Sequence, residues 1–409
     1  MFSSPKSLQD SIYYYSTLTF AFTLPLSRAA VSFFVLWFVA FFLLGRDYKN
    51  GWSQIKQSRV FWAMGAFVAL LALSLLWSED KSDGLNQLRL YSYWIIIPIL
   101  AVTLKREWLP GIITAFLGGM LISEIIAYGI YFEWWTFKDR TPQYPAPFMS
   151  HIHYSIFLAT TSIILLSRLL SQRYPWRSKL PMLIFFVTST GNLMISTGRT
   201  GQLALFVAIG VAIIIHYRLT IKSFFIFVLL SVTLFVGAYS TIDLFKMRFD
   251  EGIQDIQKFQ QGNYSSSWGL RAAFWIVTYD IVREHPLLGA GIGDYRLAAR
   301  EALQTHEHGF TKETIAWCSD THFHNQYLMI LAQIGLIGFG LMLWLLIELF
   351  RLKIKDPQLN EFSKLGLTVF VAGSIAEPLW ILQFPIILFV FITSISLASQ
   401  SVSTGLQEC

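Results

Sequence analysis

The chain has 409 residues, of which 54% are hydrophobic, 16% aromatic and only 14% charged, with a mean hydropathy of +0.52 and a formal charge of +6. A soluble globular chain carries roughly 25% charged residues. The deficit, with repeated long apolar runs, excludes a soluble domain and implies an integral membrane protein; the positive charge lies between the runs and reads as topogenic bias, not a nucleic-acid footprint.

At about 20 apolar residues per crossing, the chain predicts about twelve transmembrane helices. In order they are 13–26, 30–44, 61–77, 91–104, 111–134, 152–170, 180–195, 201–216, 221–238, 327–350, 362–376 and 379–397. The first, fourth and eleventh are short. The start is not a signal peptide: one apolar run leads into the next behind a single Lys6. No soluble domain is expected on either side of the apolar part.

Basic residues alternate along the connections. One set holds Arg46, Lys49, Lys56, Arg59, Lys105, Arg106, Arg168, Arg173, Arg177, Lys179, Arg218, Lys222, Arg351, Lys353 and Lys355. The other holds only Arg28, Lys81, Arg89, Lys138, Arg140 and Arg199. Both termini are therefore expected in the cytoplasm and the turn "STGRTG", 196–201, outside. Cys318 then falls outside and Cys409 inside, so no intramolecular disulfide is expected. The division is nine helices in 1–240, an outer loop over 241–324, and three helices plus a cytoplasmic tail in 325–409.

The outer loop is far longer than any other connection, and long connections without purpose are uncommon. Within it, "NYSSSWGLRAAFWIVTYDIVREHP" predicts an amphipathic helix capped by one of Ser265–Ser267 and stopped by Pro286. Arg271, Trp275 and Thr278 share one face, and Arg271 lies near the first turn, where free N–H groups favour an anion. "HPLLGAGIGDYRLAAREAL" predicts a glycine turn and a second helix capped by Asp294. Its "GAGIGD" is not a dinucleotide loop, because the third glycine comes one residue early and no strand precedes it; the glycines instead permit a sharp turn. "CSDTHFHNQYLMILAQIGLIG" ends the loop, with His324 and Asn325 where the tenth span begins.

Three residues carry candidate chemistry. Arg199 sits in a tight turn of Ser196, Thr197, Gly198, Thr200 and Gly201, whose small size leaves room for a ligand; the plain alternative is an interfacial arginine. With Arg271 it could share a pyrophosphate, whose oxygens suit the guanidinium fork. His324 could act as a neutral base or be merely structural. The pairs His306/His308 and His322/His324 offer a rival zinc reading, but there is no cysteine pair and no Asp-x-Asp on the outer side for a hard cation. Arg89 and Arg140 could add positive charge around a phosphate. Asp320 and Glu377 could partner the histidine, Glu377 otherwise being a solvated turn residue. The many Trp and Tyr residues mostly form interfacial belts. Glu124 lies well inside the fifth span, a functional candidate by default, and the sequence names no partner for it.

This constellation resembles the bacterial O-antigen ligase family, which includes O-antigen polymerases and protein O-oligosaccharyltransferases. The resemblance covers the whole topology, and its motifs concentrate in 195–201, 267–275, 285–295 and 324–335, "HPLLGAGIGDY" and "HNQYLMILAQIGLIG" being the most specific. It implies an all-α, GT-C-like polytopic fold in the bacterial inner membrane with a periplasmic active site and no cofactor. The implied donor is a glycan on undecaprenyl pyrophosphate, and the implied acceptor is a sugar hydroxyl of lipid A–core. Carried onto this chain, His324 would be the general base, Arg199 and Arg271 would hold the leaving pyrophosphate, Asn325 would orient the histidine or a sugar, and Trp275 would support the arginine or stack on a ring. The transfer would be metal-independent and inverting.

A ligase is favoured over a polymerase by the single dominant loop before the tenth span and by the chain length. No further domain is expected after Leu397, which disfavours the protein-glycosylating relatives. A transporter is the alternative outside the class; against it, the suspect charges lie at the outer rim and no internal repeat is evident.

Overall fold

A computed structural model describes residues 7–45 and 55–400. Lys6, Arg46, Lys49 and Cys409 lie outside the described residues. The chain is all α, with no strand among the described residues, and it is a multi-pass membrane protein.

All twelve apolar segments fall on helices. In chain order, α1 (Leu8–Thr23), α2 (Arg28–Gly45), α3 (Arg59–Leu73), α4 (Lys81–Tyr91), α5 (Ile96–Thr103) and α6 (Leu109–Tyr131) precede α7 (His151–Leu170) and α8 (Trp176–Ile195). Then come α9 (Arg199–Tyr217) and α10 (Ile221–Thr241), followed by α11 (Asp243–Gln260), α12 (Ser267–Glu284), α13 (Tyr295–Thr305) and α14 (Lys312–Asp320). The chain returns through α15 (Gln326–Phe350), α16 (Pro357–Gly373) and α17 (Gln383–Ala398).

Nine helices among the described residues are long and apolar enough to cross a membrane, fewer than the twelve expected. The fourth segment was drawn too short. It starts at Lys81, because α4 and α5 join through a tight 3₁₀ turn, Ser92–Ile95. Helices α1, α16 and α17 have 16, 17 and 16 residues. For α17 the reason is burial: every residue from Phe384 to Ala398 is enclosed by protein, so its apolar circumference faces neighbouring helices instead of lipid.

Helix α7 is the other central element, packed on α8, α9 and α16. Its hydroxyls do not need water. Thr160 and Thr161 bond back to the carbonyls of Ile156 and Phe157, at 2.9 Å each. Small residues let its neighbours come close. A Cβ at Gly201 would stand 2.2 Å from the Ser155 carbonyl oxygen, and the Gly201 N–H donates to Ser155 Oγ at 3.1 Å. The glycines of "STGRTG" therefore seat α9 on α7, with Ser155 filling the space beside them.

The glycine turn between α12 and α13 interlocks with a break in α15. Gly289 and Gly291 have φ of +66° and +117°, and Gly335 inside α15 has φ of +62°. The N–H groups of Ala290 and Gly291 donate to the carbonyls of Ala332 and Gln333, both at 2.9 Å, and Leu336 N–H donates to Pro286 at 2.9 Å. Asp294 stands at the N-cap position of α13 but does not cap it. Its carboxylate instead accepts from the N–H groups of Glu79 and Asp80, at 2.6 and 2.8 Å, tying the loop to the start of α4.

Candidate functional site

At the end of the bundle where α7, α9 and α15 begin lies a polar cavity of about 610 Å³. The first residues of three helices line it: His151 of α7, Arg199 and Thr200 of α9, and Ser267 and Arg271 of α12. Each of these termini presents the positive end of a helix dipole, which favours an anion. The lining contributes Arg199, Arg248, Lys258 and Arg271 against Glu251 and Asp255.

The two expected arginines differ in their surroundings. Arg199 donates to the Arg248 carbonyl at 2.8 Å and reaches Glu251 at 3.5 Å. Glu251 also accepts from Arg248, at 2.9 Å, and Arg248 reaches the Tyr144 hydroxyl at 3.3 Å. Arg271 contacts only its own helix start, Ser267 O at 3.0 Å and Ser267 Oγ at 2.7 Å. It has no ion-pair partner among the described residues. Burial lowers its pKa, helped by the like charge of Arg199 and opposed by Glu377. A half-buried guanidinium without a counter-ion is an anion site by default.

His324 sits beside this cavity, over the next turn of α12. Its ring lies 6.0 Å from that of Phe274, which follows Arg271 by three residues, and is stacked with Trp317 at 6.0 Å and 12°. Its Nδ1 meets Glu377 Oε2 at 2.8 Å, and His322 Nε2 meets the other oxygen at 3.0 Å. Glu377 is only 3% exposed, so it is not the solvated turn residue of the plain reading. Burial alone would raise its pKa; the hydrogen bonds from both imidazoles outweigh this and hold it at about 2. With Nδ1 engaged by a carboxylate, Nε2 is the open nitrogen of His324. The chain positions Glu377 by bonding the starts of two segments: Gln326 N–H donates to Ser374 O, and Gln326 Oε1 accepts from Trp380 N–H.

Other expected residues lie elsewhere or act differently. Asn325 is buried, and its Oδ1 caps α15 by accepting from Tyr327 and Leu328 N–H at 2.8 and 3.1 Å; Glu377, not Asn325, holds the histidine. Trp275 is 58% exposed and does not line the cavity. Arg89 is exposed on the last turn of α4 and does not line it either. Arg140 stays within electrostatic reach of the cavity residue His151. Asp320 pairs with Arg300 at 2.7 Å.

The four loop histidines do not converge. His308 pairs with Asp280 at 2.8 Å and is not part of the His322–Glu377–His324 group. That group places three ligand atoms within 4.8 Å and could hold a cation, yet both carboxylate oxygens already bind imidazoles. Cys318 offers no nucleophile: it is fully buried, and burial pushes its thiol up to about 12. The reading of the sequence missed Arg248, Lys258 and His151. The first two lie on α11, whose dense charge reads as an ordinary solvated face.

No curated protein matches the chain. A family model described as O-antigen ligase matches residues 184–343, the stretch that carries Arg199, Arg271, the glycine turn and His324. Over that segment the chain is similar to the O-antigen ligase family.

Proposed function

We propose that the protein transfers a glycan from undecaprenyl pyrophosphate to a sugar hydroxyl of lipid A–core at the periplasmic face of the bacterial inner membrane. The observation that carries this reading is Arg271: half-buried, without an ion-pair partner among the described residues, at one of three helix starts facing a single cavity, one turn from a histidine with an open Nε2.

The acceptor oxygen attacks the anomeric carbon while the bond from that carbon to the diphosphate oxygen breaks. The electron pair leaves with the diphosphate, and His324 Nε2 takes the acceptor proton. Attack opposite the leaving group inverts the centre. Charge on the diphosphate grows toward the transition state, so Arg199, Arg271 and the helix N-termini stabilise that state more than the bound donor. Glu377 fixes the histidine tautomer and stabilises the imidazolium as it forms. The donor is already activated, so no nucleotide is consumed.

The test is a deletion strain complemented with His324→Ala. A ligase leaves lipid-linked glycan intact while lipopolysaccharide loses its whole ladder. Core carrying a single repeat would make the protein a polymerase. If the purified wild-type protein transfers no glycan between added donor and acceptor, a transporter replaces the enzyme. Loss of turnover in chelator would restore the metal reading of His322, His324 and Glu377.

A further inference from the structure

At the opposite end of the bundle, an apolar groove opens into a basic cavity. Leu117 and Leu121 of α6 face Ile184 and Phe185 of α8 across the groove. The cavity is lined by Arg106, Arg168, Arg173 and Lys355 against Glu107 and Asp356. Thr114, Arg168 and Met182 line both, so the two spaces are continuous.

The cations there are not equivalent. Arg173 is neutralised by Asp356 at 2.9 Å, and Arg106 donates to the Gln400 carbonyl. Arg168 has no carboxylate partner among the described residues; its guanidinium reaches only Thr114 Oγ1, at 3.4 Å. It lies two residues from the end of α7, at headgroup depth, where the groove meets the cavity. Along α6 the groove runs from Thr114 past the buried Glu124 to Tyr128 and on to Phe132, so its first half, from Thr114 to Glu124, takes up about 15 Å of helix, roughly half the hydrocarbon thickness. An arginine without a carboxylate partner among the described residues, at the mouth of an apolar trough deep enough for acyl chains, matches the charge and shape of a phosphodiester headgroup above its chains.

We infer that this groove and cavity form a binding site for an anionic diacyl phospholipid of the leaflet that carries the basic connections, with Arg168 on the phosphate and the acyl chains between α6 and α8. The site is independent of the glycan-transfer reading.

Native mass spectrometry of the purified full chain tests it, with phosphatidylglycerol and phosphatidylcholine of identical acyl chains as probes. Wild type retains phosphatidylglycerol over phosphatidylcholine by about fivefold or more, the scale of one basic side chain at a charged headgroup. Arg168→Gln removes that preference, and Lys355→Gln, an exposed position, reduces it. Arg177→Gln, a basic residue at the same end outside both linings, keeps it. Inorganic phosphate does not displace the lipid, because it lacks the chains. Equal retention of both lipids by wild type, a preference surviving both the Arg168 and Lys355 substitutions, or equal loss in Arg177→Gln would overturn the assignment.

Discussion

Arg271 and Glu377 are the residues on which the site's electrostatics turn. Removing one preorganised charge from a developing oxyanion costs about 10²–10³ in turnover, so Arg271→Gln should lose that much kcat with little change in protein stability. Arg271→Lys should recover only part, since a point charge does not reproduce the fork. Wild-type turnover in Arg271→Gln would remove the arginine from the chemistry. Glu377 makes a separate prediction. Its carboxyl ionises at about 2 instead of the ordinary 4.5, so its pairing contributes fully above the ordinary value and fades as pH falls toward 2. The melting temperature of Glu377→Gln should therefore lie below wild type by a constant gap near neutrality, and the gap should close in acid. In the same variant kcat should fall by about tenfold or more with little change in KM, because the carboxylate that orients the His324 ring is gone. An unchanged kcat would make Glu377 a packing residue only.

At the scale of elements, two glycines of one helix have opposite duties. Gly335 has φ of +62°, and a Cβ there would stand 2.5 Å from the Leu287 backbone. Gly340, in the same helix, has nothing within 4 Å. Gly335→Ala should cost about 1–3 kcal/mol from backbone strain alone, with further loss from the clash. Gly340→Ala should be neutral or stabilise by about 0.4–1 kcal/mol. Thermal unfolding of the two variants in one detergent decides it, and equal melting temperatures would mean that the glycine turn does not lock α15. This interlock also explains what the sequence could reveal. The turn was legible, because glycine spacing is a local signal. The partner of the turn was not, because Gly335 breaks a helix whose hydropathy runs on unchanged. Asp294 was placed correctly at a cap position, but a contact 214 residues away in sequence took its carboxylate. Asn325 was expected at substrate and is held by its own helix start.

For the whole molecule, membrane class and helix order were legible because lipid imposes length and apolarity on every crossing. Arg199, Arg271 and His324 stood out because charge is scarce in so apolar a chain. Arg248 and Lys258 did not, since α11 is crowded with charge; Glu377 was one of two carboxylates expected beside the histidine, and only the fold, which brings it to a histidine 53 residues earlier, separates it from Asp320. The same contrast predicts a gradient of local stability across the candidate cavity. One wall is α12, with seven buried residues tied into the loop's own core; the other is α11, where only Phe245 is buried. Elements with few buried apolar contacts open first. In hydrogen exchange of the detergent-solubilised protein, α11 amides should exchange at least about tenfold faster than those of α12, the ratio given by a difference of about 1.4 kcal/mol in opening. Arg199 grips α11 through the Arg248 carbonyl, and Arg248, Gln254 and Lys258 all line the cavity. A diphosphate held by Arg271 and the start of α12 would also add contacts to the weaker wall, which has the more opening to lose. Saturating undecaprenyl pyrophosphate should therefore slow exchange in α11 more than in α12 beyond its first turn. Protection on neither wall would separate this cavity from the diphosphate and require the donor to bind elsewhere.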